Sequence, residues 1–173
     1  MNLHSIKKIA GMAICALCAT SFAQLGEIST DEPASSPKAD VRVRRALESA
    51  GVKYAIDKDG DYKVTWTLEE GRTHVVFVNS NTTRLGTMEL RKVWAVSFVA
   101  DEVSANNMRA LLELNAKYKV GNWSLSKQNG GYIATFNVTV AANCAAQALR
   151  TFTQVVASTA DEIENTVTRA DRF

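Results

Sequence analysis

The sequence predicts an α+β fold, an antiparallel sheet with helices packed on one face, in the order α-β-β-β-β-α-β-β-α. Three observations carry this. Apolar residues recur at helical spacing in three stretches of the chain. The runs between them alternate at strand spacing, and Asp59-Gly60 and Asn129-Gly130-Gly131 supply the tight turns of hairpins. Helices segregated among hairpins give a layered fold with one core.

In the first helix Val43, Ala46, Leu47 and Ala50 share a face, and Gly51 stands where a helix stops. Val52, Tyr54 and Ile56 alternate into a first strand, and Gly60 turns it back into Tyr62, Val64, Trp66 and Leu68. Gly71 precedes His74 to Val78, an apolar, β-branched run that suits a central strand or one covered on both faces. After a turn at Asn79 to Thr83, a long strand from about Leu85 to Phe98 carries Met88, Leu90, Trp94, Val96 and Phe98 in register, interrupted by Lys92. Ser104 caps a second helix with Met108, Leu111 and Leu112 as its apolar stripe. The next inward position is Asn115. A half-buried amide needs partners, so it is expected to tie the helix end to a neighbouring strand before Gly121 closes the segment. Trp123 to Leu125 and Tyr132 to Val140 form a hairpin around Gly130. Asn143 is the expected cap of a long last helix with Leu149, Phe152, Val156, Ala160, Ile163 and Val167 on one face.

The chain starts with the marks of an export signal: Lys7 and Lys8, an apolar stretch from Ile9 to Ala19, then Thr20-Ser21-Phe22-Ala23 with small residues at the cleavage positions. Cleavage is expected after Ala23, leaving a periplasmic or secreted protein with no membrane insertion. Residues 24–39, with both prolines, read as a flexible lead-in, and 40–173 as a single domain. Loss of Lys7 and Lys8 balances the 20 basic side chains against the 18 acidic ones, so the footprint of a nucleic-acid binder is missing. Of three cysteines only Cys144 follows the signal, which excludes an intrachain disulfide and leaves folding to apolar packing.

Few residues offer catalytic or metal chemistry. Asp57-Lys-Asp59-Gly-Asp61 faintly resembles a calcium loop, but Leu68 stands where the bidentate Glu belongs, so a hairpin turn is expected. With one histidine and one cysteine after the signal, a zinc site would need carboxylates at no recognisable spacing; no metal and no cofactor is expected. Cys144 and His74 suggest a nucleophile pair only if they meet in space, and Asp101-Glu102 and Asp161-Glu162 read as solvated acids.

The stretch Leu114-Asn115 to Tyr118, then Gly121-Asn122-Trp123, the Gly130-Gly131 turn, the strand ending at Val140 and the long closing helix resemble the YbjN-like family, as does the opening LESAGVKYAIDKDGDYKVTW. The resemblance spans about Asp40 to Val167 and implies a fold like that of type III secretion chaperones. It also implies a regulator or chaperone-like binding module, often dimeric, without an established active site. Export sets this chain apart from type III chaperones, which work in the cytoplasm, and it lacks the cysteine pair around the middle strands of many exported relatives. The expected function is therefore non-enzymatic binding, of a second copy and of an unidentified protein partner. Tyr62, Trp66, Trp94 and Trp123 are the candidate surface, with core packing as the competing role of each. Gly51, Gly60, Asn115, Gly121 and Gly130 are expected to be structural. The alternatives are a small-ligand carrier with a pocket between helices and sheet, and a small Cys/His enzyme.

Overall fold

A computed structural model describes residues 38–173. The expected signal segment and all but the end of the expected lead-in lie outside the described residues. The elements are α1 (Val41–Ser49), β1 (Ala55–Ile56), β2 (Tyr62–Thr67), a short 3-10 turn (Glu69–Gly71), β3 (Thr73–Val78), β4 (Thr83–Leu85), β5 (Met88–Ala100), α2 (Ala105–Asn115), β6 (Asn122–Gln128), β7 (Gly131–Ala141) and α3 (Ala146–Thr168). The strands form one antiparallel sheet in the order β1-β2-β3-β5-β7-β6, with β4 folded back on the start of β5. The fold class is α+β. It has one strand more than the sequence suggests, because Leu85 and Met88 pair across Gly86-Thr87 and make a separate hairpin of β4 and β5.

All three helices cover the same sheet face. The long α3 crosses β2, β3, β5 and β7, α1 packs on α3, and α2 covers β6. Between them lie Leu47, Tyr62, Val64, Val76, Val78, Val93, Phe136, Val138, Leu149 and Val156. Each such aliphatic or aromatic side chain contributes about 1.5–3 kcal/mol by leaving water. α3 presents Leu149, Val156 and Ala160 at helical spacing, and Thr153, Ala157 and Glu164 are buried beside them. β3 takes the central place that its run suggests, yet only His74, Val76 and Val78 are buried, while Val75 and Phe77 face the uncovered side.

Three local expectations are corrected. Met88, Leu90, Trp94 and Val96 are not the core face of β5: Arg91, Val93, Ala95 and Ser97 are the buried positions. The register shifts between Val96 and Phe98, a bulge that brings Phe98 into the core after all. In α2 Leu112 is 68% exposed and the inward residues are Met108, Leu111, Leu114 and Asn115. Asn143 does not cap α3, whose N-cap is Ala145, because Cys144 N donates to Ala141 O and a turn intervenes.

Candidate functional site: the uncovered sheet face

The face opposite the helices is built from the alternate residues of five strands. One row runs Lys63, Phe77, Trp94, Asn137, Asn122 across β2, β3, β5, β7 and β6. Beside it lie Thr65 opposite Val75, and Val96, Thr135 and Ser124 in a line. The row divides into two chemistries.

Its centre is aromatic. Phe77 and Trp94 stack with ring centroids 4.7 Å apart and planes 20° from parallel. Lys63 Nζ lies 5.9 Å from the Phe77 ring centre and Lys92 Nζ 5.1 Å from that of Trp94, distances at which a cation is drawn to an aromatic face. Trp94 Nε1 donates to Asn79 Oδ1 at 2.7 Å, which fixes the orientation of the indole. The other half is polar and internally satisfied: Asn137 Nδ2 donates to Ser124 Oγ at 2.7 Å and to Asn122 O, and Ser124 Oγ lies 2.9 Å from Thr135 Oγ1. These groups need nothing from a partner, so the face presents an aromatic centre with cations at its border and no unsatisfied amide. At the end of the β4–β5 hairpin, Leu85 and Met88 are cross-strand partners and exposed.

Of the four aromatic residues in the sequence-based candidate surface, only Trp94 lies on this face. Tyr62 is fully buried on the helix side and donates its hydroxyl to Asp40 O at 2.9 Å. Trp66 is half-buried on that side with Arg150 of α3 over its ring. Trp123 packs on Phe136 beneath α2. Strand parity explains the split: Tyr62, Val64 and Trp66 share the covered side of β2, whereas Trp94 falls on the other parity of β5. Phe77, the stacking partner, went unread because the continuous run of β3 hides which residues face out.

The structural residues are placed as follows. Asn115 Oδ1 accepts Trp123 N at 2.6 Å and its Nδ2 donates to Trp123 O at 3.2 Å, so one amide grips both backbone groups of an edge-strand residue. Gly121 has φ +83°, and a Cβ there would come within 2.6 Å of Phe136 Cζ and 2.8 Å of Asn137 O. Gly51, Gly60 and Gly130 also take positive φ at turns. Asp57 Oδ1 accepts the N–H groups of Asp59 and Asp61, closing a hairpin turn in place of the calcium loop.

Cys144 and His74 do not meet. Cys144 precedes the start of α3, while His74 packs against Asp161 and Glu164 near its end, about 22 Å away along the helix axis. Burial pushes the Cys144 thiol above its ordinary pKa, only partly offset by Arg91, the opposite of an activated nucleophile. The cleft that Cys144 lines with Arg42, Arg45, Arg91 and Leu149 encloses about 220 Å³, below the usual ligand-pocket range of roughly 300–1,000 Å³. Nearby, Asp40 is held by Arg42 and Arg91, and Glu89 by Arg42 and Thr82, a charged clasp that fastens the entry of α1 to β5.

A family model described as "putative bacterial sensory transduction regulator", YbjN, matches residues 39–169. The chain belongs to the YbjN family. It is similar to a solved structure described as the crystal structure of YbjN, "a putative transcription regulator from E. coli", with 11% identity, a TM-score of 0.46, and coverage of 74% of this chain and 87% of that one. No curated protein matches it. The YbjN match runs from just before α1 to the residue after α3, and so takes in every element of the sheet and its helical layer.

Proposed function

We propose that this chain is a non-enzymatic, exported, chaperone-like binding module that self-associates through the uncovered face of its sheet. The observation that carries the reading is the Phe77–Trp94 stack, an aromatic centre placed mid-sheet where no helix covers it. Aromatic side chains ringed by cations and small polar groups are the composition of interface cores and rims. A second copy suits such a face because a twofold axis through the sheet centre would bring stack against stack. An extended client segment would use the same face. The family description as a regulator of sensory transduction agrees with binding in place of catalysis. The separation of Cys144 from His74 speaks against a Cys/His enzyme, and a ligand carrier gains little from the 220 Å³ cleft or from the hollow of about 610 Å³ at the entry of α1, which is lined mainly by polar residues such as Lys38, Asp40, Arg42, Arg44 and Ser80. The signal-like start of the sequence, Lys7 to Ala23, supports a site of action in the periplasm or outside the cell.

Light scattering coupled to size exclusion, at low and high concentration and with reductant, tests the proposal. The expected result is a dimer indifferent to reductant, shifted toward monomer by at least about tenfold in Kd by Trp94→Ser, since hot-spot aromatics contribute 2 kcal/mol or more. A strict monomer at every concentration overturns the self-association, and a dimer indifferent to Trp94→Ser overturns the assignment of the face.

A further inference from the structure

His74 is fully buried, and its Nε2 lies 2.8 Å from Val96 O. A carbonyl oxygen only accepts, so Nε2 carries a hydrogen and Nδ1 of the neutral ring is a bare lone pair. Nδ1 has no hydrogen-bond partner. It faces two carboxylate oxygens, Glu164 Oε2 at 3.6 Å and Asp161 Oδ1 at 3.9 Å. The Arg72 guanidinium meets the two carboxylates, its Nη2 lying 2.7 Å from Asp161 Oδ1 and 3.5 Å from Glu164 Oε2, and leaves His74 Nδ1 as the one atom of the three with nothing to bind. Asp161 and Glu164 are three residues apart, which brings both carboxylates to one face of α3 opposite β3.

We propose that His74 Nδ1, Glu164 and Asp161 bind one divalent transition ion of the zinc class. Ligand bonds of about 2.0–2.2 Å at tetrahedral angles hold neighbouring donor atoms about 3.3–3.6 Å apart. The two measured separations need only a small contraction to reach that range, and all three donor atoms lie within 4.8 Å of one another. One imidazole with two carboxylates suits zinc, iron or nickel better than calcium, which takes six to eight oxygens.

The supporting bonds of such a site are in place. A ligating histidine gives its other N–H to a carbonyl or carboxylate, which fixes the tautomer, and Val96 O has that role. Glu164 Oε1 accepts Arg172 N at 2.8 Å, and Oε2, which takes only a long 3.5 Å bond from Arg72 Nη2, is the oxygen that faces Nδ1. Arg72 Nε donates to Asp161 Oδ1 at 2.8 Å and its Nη2 to Ala170 O. A turn of the Asp161 carboxylate keeps the guanidinium on one oxygen and gives the other to the ion. Asp161 and Arg72, 13% and 14% exposed, mark the side from which an ion and a completing water enter. The charged groups around the site are Arg72, Asp161 and Glu164, with Asp171 holding Thr73 N beyond them. Two carboxylates against one guanidinium leave a negative balance for a cation to neutralise. Since Arg72 and Glu164 also hold Ala170 and Arg172, the ion would tighten the segment after α3 against the start of β3. Residue 74 lies far from 161 and 164 in the chain, which is why spacing gave no sign of the set.

The test uses protein purified after expression of the full chain, stripped with chelator and titrated with zinc by calorimetry and with cobalt by visible absorption. The expected result is one ion per chain, a thermal midpoint that rises with zinc until that ratio is reached, and visible cobalt bands. Glu164→Gln is expected to lose the ion and keep the parent's circular dichroism, because the new amide can donate to Nδ1. His74→Gln is expected to lose it as well, and Glu164→Gln alone decides the matter if that variant does not fold. A folded parent that takes up no ion overturns the proposal. So does an ion retained equally by both variants, or an Nδ1 that nitrogen-15 NMR finds protonated at saturating zinc.

Discussion

Replacing Asn115 by Ala tests whether a single amide seals the β6 edge. Its two bonds to Trp123, 2.6 Å from the backbone N–H and 3.2 Å to the carbonyl, act where a further strand would otherwise sit. Asn122 Nδ2 also donates to Trp123 O, at 3.3 Å, so the carbonyl keeps a partner in the variant while the N–H loses the acceptor gripping it. A hydrogen bond contributes about 1 kcal/mol net, and a sheltered donor left unpaired costs about 1–3 kcal/mol. Asn115→Ala is therefore expected to cost about 2–3 kcal/mol, or about 8–12 °C in Tm at roughly 4 °C per kcal/mol for a domain of this size. Urea unfolding followed by circular dichroism should show a lower midpoint with an unchanged slope. Adding Asn122→Ala should cost more in the Asn115→Ala background than in the parent, because Trp123 O then loses both donors. A loss below about 0.5 kcal/mol, or strict additivity of the pair, would refute the reasoning, since a lost buried bond cannot be that cheap.

Two further outcomes are expected. Gly121→Ala combines a left-handed backbone with contacts at 2.6 Å and 2.8 Å, and should destabilise by at least about 2 kcal/mol in the same urea assay; a neutral result would mean that Phe136 gives way freely. Acid should loosen the clasp at α1. Arg42, then Thr82, hold the Glu89 carboxyl at about 2 against an ordinary 4.5. Burial pushes Asp40 up, but Arg42 and Arg91 outweigh it and keep the carboxyl below the usual carboxylate range. Depressed acids stabilise the fold above their unfolded pKa values and lose that contribution as pH falls through the folded ones. Tm should hold near neutrality and decline from about pH 4.5 toward pH 2, less steeply in high salt; an unchanged Tm down to about pH 3 would remove the clasp from the account.

Local signals were legible where period and turn chemistry agree. Val43 and Leu47 in α1, Leu149, Val156 and Ala160 in α3, and the glycine turns at Gly60 and Gly130 all sit where spacing placed them. Asn115 falls on the inward stripe of α2, and that position defines its task. β5 defeated the same logic because it is apolar on both faces and buries Arg91 among its core positions. Of the candidate surface only Trp94 reaches the uncovered face, since a tryptophan looks alike on either parity of a strand. Asp161 was read with Glu162 as a solvated acid and Glu164 was not singled out, because their burial depends on β3, a partner that no local pattern reveals.

The bulge after Val96 has a consequence for how this protein changes over time. A strand with one extra residue works like a message with a frameshift: before it, even positions such as Trp94 and Val96 face outward, and after it odd ones such as Val99 do. Substitutions that retune the outer face on one side of Ser97 therefore leave the other side's alternation untouched. Deleting Ser97 alone would close the bulge and leave Phe98 opposite Ala134 in the core, at the loss of the Ser97 Oγ bond to Ala160 O.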